Sequence, residues 1–215
     1  MSSEKEPLFS SKNIKLLTEP LGNSNPITVQ VLGICSALAV TVKMKPAFVM
    51  AISVMVVLAV SNVVISFIRN SIPPRIRIIV QLVVIAAMVI LVDQILKAFV
   101  YDISKQLSVF VGLIITNCIL MGRLEAFAMG NKPWASFLDG IGNAAGYSII
   151  LIIISFFREL LGSGTIWDYK VVPDSFYQFG YQNNGLMILP PMALIVVGII
   201  IWVQRARNKK LIETK

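Results

Sequence analysis

The chain has no histidine and only two cysteines, Cys35 and Cys118, among its 215 residues. Without imidazole it cannot ligate haem or copper through histidine. It also lacks the side chain most often used as a general base near neutral pH. Two cysteines with no CxxC cannot build a four-thiolate metal site from this chain alone. Charge is scarce as well: 14% of residues are Asp, Glu, Lys or Arg, against about a quarter in a soluble domain. No phosphate loop, dinucleotide fingerprint or nucleophile triad is present.

What is present is apolar. Hydrophobic residues make up 56% of the chain and the mean hydropathy is +0.80. Uncharged runs of about 17–25 residues recur, the length that crosses about 30 Å of hydrocarbon. Their continuity excludes the alternating pattern of a membrane barrel and leaves helices. The expectation is an all-α polytopic membrane protein with six spans: Ile27–Val42, Ala47–Ile68, Ile76–Val100, Leu107–Met121, Phe137–Leu161 and Leu186–Val203. The first and fourth are short and carry the cysteines, and each is followed by two full-length runs. The order short, full, full therefore occurs twice, as repeats of about 25–100 and 106–203. An AFVM at Ala47–Met50 is echoed by AFAM at Ala126–Met129. Three spans per repeat would make the second copy face the other way, and paired short helices in inverted repeats point to a site near the bilayer midplane.

The net charge of +8 sits beside the spans, where it reads as an orientation signal rather than a nucleic-acid footprint. With the N-terminus inside, thirteen Lys and Arg fall on the inner side and six on the outer. Both termini are thus expected in the cytoplasm, with residues 1–24 a cytoplasmic tail, 25–203 one membrane domain and 204–215 a basic cytoplasmic tail. Residues 1–24 have mixed charge and no apolar core, so no cleavable signal peptide is read there. They are a loose tail or a docking segment.

Cys35 and Cys118 lie roughly 12 and 17 Å into their spans, near the middle from opposite faces. One reading is two buried thiols acting as small hydrophobes. The other is half of a metal-cluster site, with a second chain supplying two more thiolates. Gly33 and Asn117 favour the second: the glycine permits a break or a close backbone approach, and a midspan asparagine can cap broken backbone or donate to sulfur. Asp93 and Asp139 lie within or at the edges of spans. They belong either to an ion path or to interfacial pairs, Asp93 with Lys97 and Asp139 as a helix N-cap. Arg158-Glu159 is expected to meet the headgroups, and Gly140, Gly142 and Gly146 read as a helix-packing stripe. Ser61, Asn62 and Ser66 are either interhelical glue or an ion path.

VLGICSALAVT around Cys35, VGLIITNCILMGRLEAFA around Cys118, the VDQ, KA and YDISKQLSVF linker, LDGIGNAAGY and FFRELLGSG together resemble the D subunits of sodium-translocating NADH:quinone oxidoreductases. The similarity covers about Asn25 to Val203. The next relative is the E subunit of the Rnf ferredoxin:NAD complex, which tends to carry Pro after the first cysteine where this chain has Ser36. The resemblance implies a component of a six-subunit complex in the bacterial inner membrane that oxidises NADH, reduces ubiquinone and exports sodium. It implies a homologous E subunit of opposite topology, with which Cys35 and Cys118 would share one [2Fe–2S] cluster relaying electrons across the membrane. NAD, flavins and quinone would sit on other subunits, with no catalytic site on this chain alone. It also implies that Asp93 and Asp139 serve sodium movement. The rival from the residues alone is a cofactor-free inverted-repeat transporter using Asp93, Asp139 and Asn117.

Overall fold

The computed structural model describes residues 11–22, 24–99, 112–167, 169–170 and 184–207. Helices dominate: α1 (Ser11–Thr18), α2 (Ile34–Val40), α3 (Met44–Ile68), α4 (Arg77–Phe99), α5 (Cys118–Arg123), α6 (Pro133–Ser163) and α7 (Pro190–Arg207). Four of them, α3, α4, α6 and α7, are long and apolar enough to cross a membrane. Their ends follow local chemistry. Pro133 and Pro190 open α6 and α7, where a missing N–H costs nothing. Gly164, at φ +68°, closes α6, and its N–H donates to the Leu160 carbonyl at 3.1 Å. After α3 the chain tightens through Arg69–Ser71 and runs into Pro73 and Pro74.

The two cysteine-bearing runs are not continuous helices. Residues 25–30 form turns in which Asn25 Oδ1 accepts from the N–H groups of Ile27 and Thr28. Val31 and Gly33 take positive φ angles of 58° and 80°, and α2 starts only at Ile34. The second run has a helical turn at 112–115, a break at Thr116-Asn117, and then α5, which continues as a wider helical turn through Leu124–Ala128. Residues 107–111 of the expected fourth span lie outside the described residues. The AFVM and AFAM echo falls on unlike elements, the first turns of α3 and the wide turn before α6.

The pair α3 and α6 forms the centre. Gly140 allows this approach, because a Cβ there would lie 3.1 Å from Ala59 Cα on α3. Gly142 and Gly146 receive the N-terminal segment: a Cβ would meet the Leu16 carbonyl oxygen at 2.7 Å in the first case and crowd the Pro20 carbonyl in the second. The glycine stripe is a packing surface, and from Ser11 onward the N-terminal segment is docked rather than loose. The core is built from Met50, Val54, Leu58 and Ile65 of α3 with Tyr147, Leu151 and Ile154 of α6, closed by Ile85 and Ile119. In the most apolar stretch of α3 and of α6, 56% is buried, against 17% in α4 and 11% in α7. The outer two helices therefore present apolar side chains such as Val83, Ile90, Ile195 and Ile199 outward, as lipid or another subunit requires. A short antiparallel pairing of Thr165–Ile166 with Tyr169–Lys170 follows α6, and Trp167 meets Phe48 edge to face at 5.6 Å. Phe176, Tyr177, Phe179 and Tyr181 of that loop lie outside the described residues.

Candidate functional site

The two breaks meet. Gly33 N–H donates to Cys118 Sγ at 2.9 Å across 85 residues of sequence, which brings Cys35, two residues after Gly33, into the neighbourhood of Cys118. Cys35 is the second residue of α2 and Cys118 the first of α5. Both sulfurs thus sit at helix starts, where free backbone N–H groups favour negative charge. Asn117 caps the break: its Oδ1 accepts from Ile119 N at 3.2 Å. Gly33 needs its positive φ to point its N–H at the sulfur, and a Cβ there would come 2.7 Å from Ile119 Cδ1. Of the roles open to these two residues in the sequence, Gly33 takes both the break and the close approach. Asn117 takes the cap.

Cys35 is exposed and Cys118 half-buried. Among the described residues no group of three or more His, Cys, Asp or Glu side chains gathers to hold a metal. The chain therefore presents two soft ligands, side by side and open to the outside. That is a donor set fitted to half of a four-thiolate iron–sulfur site.

Behind the thiols lies a buried polar network that the sequence did not disclose. Tyr147 from the middle of α6 places its hydroxyl 2.8 Å from Ser36 Oγ. Asn117 Nδ2 donates to the same oxygen at 3.3 Å, and Ser36 Oγ donates to the Gly33 carbonyl at 2.8 Å. The only signal in the sequence was a serine beside one cysteine and an asparagine beside the other. Nothing there joins them to a tyrosine 111 residues away.

The acids are placed differently from one another. Asp93 pairs with Lys97 at 2.6 Å along α4, the i,i+4 arrangement its spacing suggested. Asp139 is not an N-cap; Lys132 holds that position, and Asp139 lies well inside α6. It is buried, and both of its oxygens accept from Arg123, the last residue of α5. Asn143 Nδ2 adds a third bond at 3.1 Å. The cysteines and these carboxylates do not share one cluster. Arg158 and Glu159 are buried rather than at the headgroups. The five N–H groups of Arg158 are met by Leu38 O, Thr41 Oγ1, Met187 O, Ile188 O and Leu189 O. Glu159 accepts from Met44 N at 2.6 Å, holding the start of α3. Asn62 donates to Ser136 O at 2.9 Å and Ser66 to Asn131 O at 2.6 Å, so these two residues glue α3 to the chain at the start of α6.

Comparison with known proteins places this geometry. Residues 13–201 match the model of the family described as Rnf-Nqr subunit, membrane protein. The chain is 57% identical over 201 residues to the D subunit of the Na(+)-translocating NADH-quinone reductase of Photobacterium profundum, covering 94% of this chain and 96% of the relative. It is 55% identical over 209 residues to the D subunit of the same reductase from Psychromonas ingrahamii, covering 97% and 100%. It is 56% identical over 201 residues to that of Aeromonas hydrophila, covering 94% and 96%. A match along nearly the whole chain, through both broken helices and the four long ones, makes this chain a member of the Rnf-Nqr family of membrane subunits.

Proposed function

We propose that this chain is a membrane subunit of a sodium-translocating NADH:quinone reductase, and that Cys35 and Cys118 supply two of the four thiolate ligands of a [2Fe–2S] cluster. The other two come from a homologous subunit of opposite orientation. The observation that carries this reading is the meeting of the two cysteine-bearing breaks, joined by the Gly33 N–H on Cys118 Sγ, with Cys35 exposed and Cys118 half-buried. Thiols used only as core hydrophobes would be buried. The full-length relatives named as quinone reductase subunits support the reductase over an Rnf-type complex.

When bound, such a cluster gives the complex a one-electron carrier within the membrane. The chain's own residues prepare for it. Gly33 N–H stabilises charge on Cys118 Sγ, Asn117 closes the backbone left open by the break, and exposed Cys35 faces the partner. The arrangement is read as six membrane segments in two inverted repeats, α2–α4 and α5–α7, with both termini in the cytoplasm of a bacterial inner membrane. Its support is that each cysteine half-helix is followed by one central and one outer helix. Asp93 and Asp139 are assigned to sodium movement, as intramembrane carboxylates kept at a cost. Both Asp139 oxygens are held by Arg123, which speaks against a cofactor-free transporter with Asp139 as its open substrate site.

The test is Cys118→Ser in the purified complex. Serine is a harder ligand and suits a soft-thiolate site poorly. Iron and labile sulfide should fall and quinone reduction should stop, while NADH oxidation by artificial acceptors continues. Full iron content with normal quinone reduction would refute the assignment.

A further inference from the structure

Ser36, Asn117 and Tyr147 come from three separate segments, and all three are fully buried. Burying a hydroxyl, an amide and a phenol costs stability unless each is bonded, and apolar side chains would fill the space at less cost. The bonding here assigns itself. A serine hydroxyl has one proton and two lone pairs. Its proton goes to the Gly33 carbonyl at 2.8 Å, so it accepts from Tyr147 O–H at 2.8 Å and from Asn117 Nδ2 at 3.3 Å. The network therefore ends on Gly33, whose carbonyl is held by Ser36 and whose N–H lies 2.9 Å from Cys118 Sγ. The Tyr147 ring flanks the same glycine, with Cε2 3.2 Å from where a Cβ would be.

We propose that the Tyr147–Ser36–Asn117 network is a positioning device: it locks Gly33 so that its N–H stays on Cys118 Sγ, and it thereby sets the reduction potential of the cluster bound there. The proposal rests on the cluster reading given above. Hydrogen bonds to ligand sulfur stabilise the reduced, more negative state, so weakening one lowers the potential. Ser36 is the node of the network and Tyr147 its anchor on the central helix. Neither touches a sulfur in the bonds described, so both act through Gly33.

The experiment uses the intact purified complex with Tyr147→Phe and Ser36→Ala, and Cys118→Ser alongside. Iron and labile sulfide are measured first, then the electron paramagnetic resonance spectrum of the reduced cluster and its midpoint potential by redox titration. Tyr147→Phe keeps the ring against Gly33. Wild-type iron with a lower midpoint potential and shifted g values is expected, and Ser36→Ala should move the potential in the same direction at least as far. Wild-type potential and spectrum in both variants would overturn the proposal. So would iron loss in which the remaining clusters titrate as in the wild type, since that is a structural role only. If Cys118→Ser keeps wild-type iron and spectrum, the cluster reading itself fails and takes this proposal with it. If Cys118→Ser loses the cluster while the other two variants are unchanged, only the network fails.

Discussion

Gly33 meets three demands at one backbone position. It turns the chain at φ +80°, leaves room for Ile119 and Tyr147, and aims its N–H at Cys118 Sγ. A Cβ in the left-handed region costs about 1–2 kcal/mol before any clash. Gly33→Ala should therefore lower the thermal unfolding temperature of the solubilised complex. Part of that loss is steric, since the new Cβ falls 2.7 Å from Ile119 Cδ1. Ile119→Val removes that atom, so Gly33→Ala/Ile119→Val should regain part of the steric share, with Tyr147 Cε2 still 3.2 Å away, and keep the backbone share. Complete recovery in the double variant would show that the dihedral carries no cost. Gly33 and Asn117 were legible in the sequence because each is odd for its place, a glycine and an amide within apolar runs. Ser36 was not: a lone serine in such a run has many uses, and the residue that gives it one is on another helix.

At the scale of elements, α6 is the post to which both cysteine half-helices are fastened. Near its start Asp139 holds Arg123 at the end of α5; near its end Arg158 bonds Leu38 O and Thr41 Oγ1 at the end of α2. A cation at a helix C-terminus also complements the local carbonyl dipoles. Removing one member of a buried pair costs about 3–5 kcal/mol, because the other charge is left uncompensated. Asp139→Asn should thus destabilise the complex, and Asp139→Asn/Arg123→Gln should restore much of that stability. Sodium dependence of quinone reduction separates the two roles of the carboxylate. If Asp139 serves the ion, the double variant stays impaired in its sodium response. If stability and sodium response return together, Asp139 is a structural partner of Arg123 and nothing more. The long helices were readable from run length, and their ends moved by only a few residues. The clamps were not readable, because Asp139 and Arg158 lie near the start and near the end of one apolar run and find their partners through tertiary packing.

For the whole molecule, the central pair α3–α6 is buried on most sides and the outer helices α4 and α7 are apolar toward the outside. A chain so built is finished only by lipid and neighbouring subunits. Composition shows the membrane, but not which apolar faces meet protein. Orientation is the global property that the charges address. Thirteen basic residues lie on one side of the expected spans and six on the other, and one of the six, Arg158, is buried and engaged with carbonyl groups. By the same test Arg123, paired with buried Asp139, leaves the inner count, so one charge is lost from each side and the bias keeps its sign. Both termini should then be cytoplasmic. The segment between Gly162 and Gly185, which follows α6, should face the periplasm. A reporter active only in the cytoplasm, fused after Lys215, should be active, and one active only in the periplasm should work when inserted between Gly162 and Gly185. The reverse pattern would turn the chain over and exchange the sides from which α2 and α5 reach the site. Under the proposed inverted-repeat arrangement, in which the two half-helices approach from opposite faces, a partner of opposite orientation would still complete it. The proposed pairing of two homologues is thus insensitive to the outcome, and the direction in which the termini would meet the rest of the complex depends on it entirely.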